Sequence, residues 1–538
     1  MQRLWLLSLL LLLTDLFAFD GGKCGFVAYM EHQQQKKKGL ARTVYPSAGS
    51  CSAEELYDSV FVDTSAHFRV FYTLTGPHAV AGADSITLER PPYIDTLLHW
   101  LENAWKLHTD TIGMKSPKGF DTTYQYEDAR FPDKYPVEVV DINNLRDFNN
   151  LLGDHGGYYG LTLPDEDDPT LTELIIENDF YTQSGYERGT TTLTTDSGTC
   201  SYTPSQYAMT SSLNDTTVDY TVDWQLALRV TATHELYHAC QLRYQDYNVQ
   251  YHFWFEASAV GVEDQGAPDL NDYFQYLDPI FSDPEISLLS IYNNRPYGQG
   301  VFYQYLAHRF GRTFDPLIWT SLSKSPTTDI EYHFEKVLQA KGEEDGFAGV
   351  YLDYAQHMMF SGARSKYAPK DSLWPNDLPD WPELNVETTT PDSLDLPSLA
   401  FEVFPADLVP KNCQCYSSLL QRTEVTVGDS DYVILSMGID STSSGFVASQ
   451  PKVWPNPWRP DRGQSTLCLD PATSDSLLDV RTRTGMLLCT LRYNENSSCS
   501  SGFSLTTSGF STKRNLAPGL YYWKGRSERK LHKFLVIR

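Results

Sequence analysis

Residues 230–264 read VTATHELYHACQLRYQDYNVQYHFWFEASAVGVED, and at their centre stands His234-Glu235-Leu236-Tyr237-His238, an H-E-x-x-H. On a helix, side chains four positions apart share a face, so His234 and His238 can present both imidazoles to one metal ion. Glu235 is close enough to hold a water at that ion without being a ligand. A structural metal site closes with four protein ligands, whereas a hydrolytic one keeps three and leaves the fourth position to water. A third ligand must therefore lie nearby. Glu256 is the leading candidate and His252 the competing donor. The pattern predicts a helix from about 223 to 244, because Leu226, Val230, Tyr237 and Cys240 recur at spacings of three and four. A second helical stretch begins near Trp254 and carries Glu256.

Trp254-Phe255-Glu256-Ala257-Ser258-Ala259, followed by Glu263, resembles the third-ligand helix of gluzincin metallopeptidases, in the branch that includes zinc aminopeptidases. Tyr292-Asn293-Asn294-Arg295-Pro296-Tyr297-Gly298-Gln299-Gly300 is similar to that family's Tyr-x-x-x-Pro-Tyr-x-x-Gly segment. The resemblance covers roughly residues 223–311. It implies one Zn²⁺ ion on His234, His238 and Glu256, Glu235 as general base, and Tyr297 as hydrogen-bond donor to the oxyanion, with Tyr292 as a supporting candidate. Glu263 lies two turns beyond Glu256 on the same helix. It stands either as a carboxylate accepting the second ring N–H of a ligand histidine or as a solvated surface group. The branch reads a free amino terminus with an upstream Gly-x-Met-Glu-Asn loop. That loop has no counterpart here, since Gly156-Gly157-Tyr158-Tyr159-Gly160-Leu161-Thr162-Leu163 lacks the glutamate. The expectation is therefore an endopeptidase acting on protein or peptide substrates.

The chain of 538 residues carries a net charge of −27. That balance excludes nucleic acid as a partner, because phosphates would be repelled. The start, MQRLWLLSLLLLLTDLFAFD, reads as a signal peptide over 1–18: Arg3, an apolar run, then cleavage after Ala18. No other stretch approaches transmembrane length, so the mature chain is expected to be exported without a membrane span. All nine cysteines follow that cleavage point, and the odd number leaves at least one thiol without an intrachain partner. Proximity in sequence pairs Cys24 with Cys51, and Cys468 with Cys489 or Cys499. Cys240, two positions beyond His238, reads as a small buried core residue.

The fold class expected is α+β: a zincin-like catalytic domain over 19–373, sheet first and helices last, followed by small β-sandwich domains. Strand-like runs at 59–62, 67–72, 135–142 and 173–176 precede the metal helix, with a helix near 93–108. Residues 158–163 are the candidate edge strand that would pair with an extended substrate. Residues 182–222, rich in Ser, Thr, Gly and Asn, read as a surface loop. The stretch 374–398, heavy in Pro, Asp and Thr, reads as a linker, and 399–450 as a small β domain.

The C-terminal stretch 451–538 resembles a type IX secretion sorting domain. The resemblance rests on Val453-Trp454-Pro455-Asn456-Pro457-Trp458, Thr484-Gly485, Leu516-Ala517-Pro518-Gly519-Leu520-Tyr521-Tyr522-Trp523 and the basic ending Lys533-Phe534-Leu535-Val536-Ile537-Arg538. It implies the type IX secretion machinery as a partner, and a location outside, or on the surface of, a double-membraned bacterium. Two other classes compete with the peptidase: an inactive surface binding or adhesion protein on a peptidase scaffold, and a zinc hydrolase of a non-peptide substrate. The intact Glu235 favours an enzyme.

Overall fold

The computed structural model describes residues 23–26, 29–30, 60–83, 90–119, 131, 133–142, 157–165, 167–182, 191–195, 198–202, 207–213, 216–291, 294–327, 329–374, 376–388, 396–409 and 420–439, with strand segments between 452 and 536. The signal-peptide reading of 1–18 lies outside the described residues, as does Tyr292.

The fold is α+β, built around one five-stranded sheet. Its strands are β1 (Phe61–Thr64), β2 (Phe68–Tyr72), β3 (Tyr135–Val140), β4 (Gly160–Pro164) and β5 (Thr172–Glu177), in the order β1-β2-β3-β5-β4. Strands β2, β3 and β5 run parallel, while β1 and β4 lie antiparallel at the two edges. Parallel neighbours need a crossover, and α1 (Pro92–Trp105) supplies it between β2 and β3. The inner strands are covered on both faces, so their side chains read as near-continuous apolar runs, as in Leu174-Ile175-Ile176. The 158–163 stretch does form an edge, as β4.

The metal helix of the sequence, α2 (Trp224–Leu242), is followed by α3 (His252–Gly266), α4 (Arg295–Gly298), α5 (Gly300–Phe310), α6 (Asp315–Ser323), α7 (Ile330–Ala340) and α8 (Gly346–Met358). From Ala227 to Leu242 every residue of α2 except Arg229 is buried. Two cores meet on it. Ala227, Leu228, Ala232, Leu236 and Ala239 pack with α1 and the sheet, while Tyr237, Cys240 and Leu242 join the cluster of the later helices. A helix covered on all sides has little need of a polar face, which explains its weak amphipathic patterning. Asp315 ties this second core together: its carboxylate accepts hydrogen bonds from Tyr237 Oη on α2, Trp254 Nε1 on α3 (2.8 Å) and Trp319 Nε1 on α6 (2.9 Å). Burial still pushes its carboxyl up to about 6 against those three donors.

Three expectations need correction. The 374–398 stretch is no free linker, because Trp374, Leu378, Trp381 and Leu384 are buried in the same core as the helices. Proline and aspartate there leave only a short 3-10 turn at Leu378–Asp380, but the two tryptophans still drive burial. The strands beyond it, β6 (Phe401–Pro405), β7 (Leu420–Val427) and β8 (Ser430–Met437), form a three-stranded sheet ordered β6-β8-β7. Phe401, Val403, Val427 and Ile434 join the helical core, so this sheet is laid against the helical body rather than closed into a sandwich of its own. Finally, 182–222 is not a plain loop. Thr191–Thr195 pairs with Gly198–Tyr202, and Thr210–Leu213 with Thr216–Asp219, as the strand preference of threonine allows.

Between 452 and 536 the described strands form two antiparallel sheets of three and four strands, with His532–Val536 pairing to Gly519–Gly525. The turn motifs at 455–458, 484–485 and 516–518 lie outside the described residues. No helix among the described residues is long and apolar enough to cross a membrane.

Asp315→Ala would strand three buried donors at roughly 1 kcal/mol or more each. We expect a loss of about 3 kcal/mol or more, read as a fall of roughly 6–12 °C in the melting midpoint of the helical body by circular dichroism.

Candidate metal centre

His234 and His238 are both buried in the middle of α2, with ring centroids 4.7 Å apart. Each has its Nδ1 engaged. His234 Nδ1 lies 2.6 Å from Glu263 Oε1, and a carboxylate can only accept, so this nitrogen carries the proton. His238 Nδ1 lies 2.7 Å from Gln241 Oε1. The Gln241 amide is oriented by its other end, where Nε2 donates to Phe255 O (3.0 Å) and Ser258 Oγ (2.8 Å). Its oxygen is therefore the acceptor, and His238 Nδ1 the donor. With both Nδ1 atoms acting as donors, the two Nε2 atoms face each other across 3.0 Å.

Glu256, on α3, completes the set. Its Oε2 lies 3.4 Å from His234 Nε2 and its Oε1 3.6 Å from His238 Nε2, too long for hydrogen bonds. Both oxygens are buried and lack any hydrogen-bond donor. A buried carboxylate facing two imidazoles is costly unless positive charge, a ring proton or a metal ion, sits among them. Electrostatics agree. Burial opposes charge on His234, yet the Glu256 and Glu263 carboxylates outweigh it and raise the imidazole to about 9. Burial likewise opposes the charge on Glu256, but the two histidines hold it well below the usual carboxylate range. A fourth donor is present: one ligand atom from each of Cys24, His234, His238 and Glu256 lies within 4.8 Å of the others. These four buried side chains can hold a metal ion.

Glu235 is positioned from the sheet. Thr162 Oγ1, on β4, lies 2.8 Å from Glu235 O and 2.9 Å from Glu235 Oε2, and can donate to either. This proximity depends on Gly160, where a Cβ would fall 2.7 Å from Thr231 Cγ2 and 2.8 Å from Glu235 Cγ. Only glycine lets the edge strand run this close to α2. Tyr297, on α4, is buried, with its ring 6.4 Å from that of His234 and 5.0 Å from Tyr276. Burial, with Glu256 and the Cys24 thiol behind it, pushes its phenol well up, so it stays a hydrogen-bond donor. Gly300 keeps α5 against α3, since a Cβ there would stand 2.9 Å from Val260 Cγ1 and 3.1 Å from Gly261 N.

The structure thus brings Glu235, His234, His238, Glu256, Glu263 and Tyr297 together. His252 stays out of the donor set; burial lowers its imidazole to about 4. Cys240 is a buried free thiol outside that set. Cys24 carries a free thiol, which corrects the pairing with Cys51. Three functional residues escaped the sequence reading. Gln241 stands one turn beyond His238, so its spacing offered a signal. Thr162 and Cys24 reach the site only through the fold.

Comparison with protein-family models, with curated proteins and with solved structures finds no match to this chain.

Removing the partner of a ligand imidazole loosens its orientation and typically costs 10–100-fold in metal affinity. We expect Gln241→Leu to weaken metal binding by about that factor in competition with a coloured chelator, without loss of helical content.

Proposed function

We propose that this chain is a secreted zinc metallopeptidase, and that it cuts within peptides rather than from their ends. The observation that carries the reading is the pair of Nε2 atoms facing each other at 3.0 Å beside the buried Glu256 carboxylate, with Glu235 held alongside. Mixed nitrogen and oxygen donors on buried, well-oriented side chains suit Zn²⁺ among common biological metals. When bound, zinc supplies a Lewis acid that polarises the scissile carbonyl and lowers the pKa of water to about 7.

The chain's own residues do the rest. Glu235 Oε accepts the proton of the attacking water and delivers it to the departing amide nitrogen. Thr162 holds that carboxylate in place. Tyr297 Oη, kept protonated, is the donor for the oxygen that gains charge during attack, a contact whose loss typically costs roughly 10²–10³ in rate. Strand β4 offers an edge to which an extended substrate backbone can add. The zincin-like reading of the fold is supported by the antiparallel edge strand beside an H-E-x-x-H helix, followed by a second helix carrying the glutamate. The two small antiparallel sheets after 451, with the Pro-Asn-Pro and Pro-Gly-x-Tyr turns of the sequence, support a type IX sorting domain and an extracellular or cell-surface location.

The purified chain is expected to hold one zinc ion and to cleave an end-blocked quenched peptide in a chelator-sensitive manner. Glu235→Gln should keep the metal and lose roughly 10²–10⁴ in rate. Zinc bound without cleavage, in the parent and in the N-terminal variants described below, would favour a non-peptide substrate. No bound zinc would leave a binding protein.

A further inference from the structure

The fourth donor of the metal centre comes from neither α2 nor α3. It comes from residues 23–26, Lys-Cys-Gly-Phe, which reach the site from the N-terminal end of the chain. All four are buried. Their backbone pairs in parallel with the outer side of β4: Tyr159 N donates to Lys23 O (2.8 Å), and Gly25 N donates to Gly160 O (3.1 Å). Those are backbone groups that an extended substrate would need. The side chains extend the blockade. Phe26 stacks on His238, with centroids 4.5 Å apart and planes 22° apart, and also meets Tyr247 and Phe255. Lys23 Nζ donates to Glu263 Oε2 (2.5 Å), the carboxylate that orients His234, and to Asp272 Oδ2 (2.6 Å). Asp272 is held in turn by Ser211 and Tyr220.

We propose that this segment is a built-in inhibitor: Cys24 Sγ serves as the fourth metal ligand, and residues 23–26 cover the substrate edge at Tyr159 and Gly160, where β4 begins, so the chain as folded is latent. The proposal rests on the metallopeptidase reading. A site closed by four ligands could instead be structural. Against that stand two features. The three donors on α2 and α3 are placed by Gln241, Glu263 and Asp315 without any help from Cys24. In addition, Glu235 and Tyr297 flank the ion site, where a structural centre has no use for a base or an oxyanion donor. Displacing 23–26 therefore leaves a three-ligand site with its catalytic groups intact. The lysine anchor accounts for tight latency, because breaking a buried ion pair is strongly unfavourable. Activation then requires cleavage that frees the segment or chemical capture of the thiol.

The test is made on the full chain loaded with Co²⁺. The parent is expected to bind one ion and to show a thiolate-to-cobalt charge-transfer band in the near ultraviolet. Cys24→Ala should keep one ion without the band. Cys24→Ala and the double variant with Phe26→Ala should cleave the end-blocked peptide about tenfold or more faster than the parent, since a parent closed in roughly nine molecules out of ten leaves only the remainder competent. A readout free of any variant is alkylation of the parent by iodoacetamide, mapped by mass spectrometry. Cys24 should be protected while metal is bound and labelled after chelation, with the buried Cys240 as internal reference. Cobalt bound by the parent without a thiolate band, or Cys24 labelled equally with and without metal, overturns the proposal and leaves the metallopeptidase reading standing. A band lost in Cys24→Ala with no gain in cleavage also overturns it, in favour of a structural ligand. No cobalt bound by any form overturns both.

Discussion

Two imidazole Nε2 atoms held 3.0 Å apart beside a buried carboxylate form a site that calls for a proton or a metal ion, and the surrounding architecture serves to maintain it. Glu263 and Gln241 each take a ring proton at Nδ1, which turns both Nε2 atoms toward the site. Asp315 then clamps α2, α3 and α6 from behind, so that the rings cannot move apart. Such an arrangement is stabilised by positive charge at its centre, whether a ring proton or a metal ion.

The charge balance around the site follows the same logic. Glu235, Glu256, Glu263 and Asp272 are all buried there, and besides His234 and His238 only Lys23 is ion-paired to any of them among the described residues. Burial alone would lower the Lys23 ammonium, yet Asp272 and Glu263 more than reverse this and hold it charged. One ammonium cannot neutralise four carboxylates in a low-dielectric interior. A divalent ion at the histidines brings the cluster close to balance. The N-terminal segment is thus coupled to the metal centre twice, through the Cys24 donor and through the lysine that shares Glu263 with His234.

Position of a residue within one helix was readable in advance. His234, Glu235 and His238 follow from helical spacing alone, and Glu263 follows from its place two turns beyond Glu256. The inner strands were visible as apolar runs, and β4 was recognisable as a candidate edge. Composition misled where local preference and burial diverge. The 374–398 stretch has the residues of a linker but the tryptophans of a core, and the threonine-rich 182–222 region has the residues of a loop but forms hairpins.

The amino-acid sequence by itself determined the α+β class, the helix that carries His234 and His238 and the face those two share, because each is a matter of periodicity or spacing along a single element, while Glu256 was singled out by the resemblance. Only the tertiary structure decided that Cys24 is a free thiol at the metal centre and not half of a disulfide with Cys51, that Thr162 holds Glu235, and that the sheet after 399 belongs to the helical core. These are contacts between residues far apart in the chain. Their energy comes from sheet pairing, buried ion pairs and packing, none of which leaves a periodic trace in the sequence.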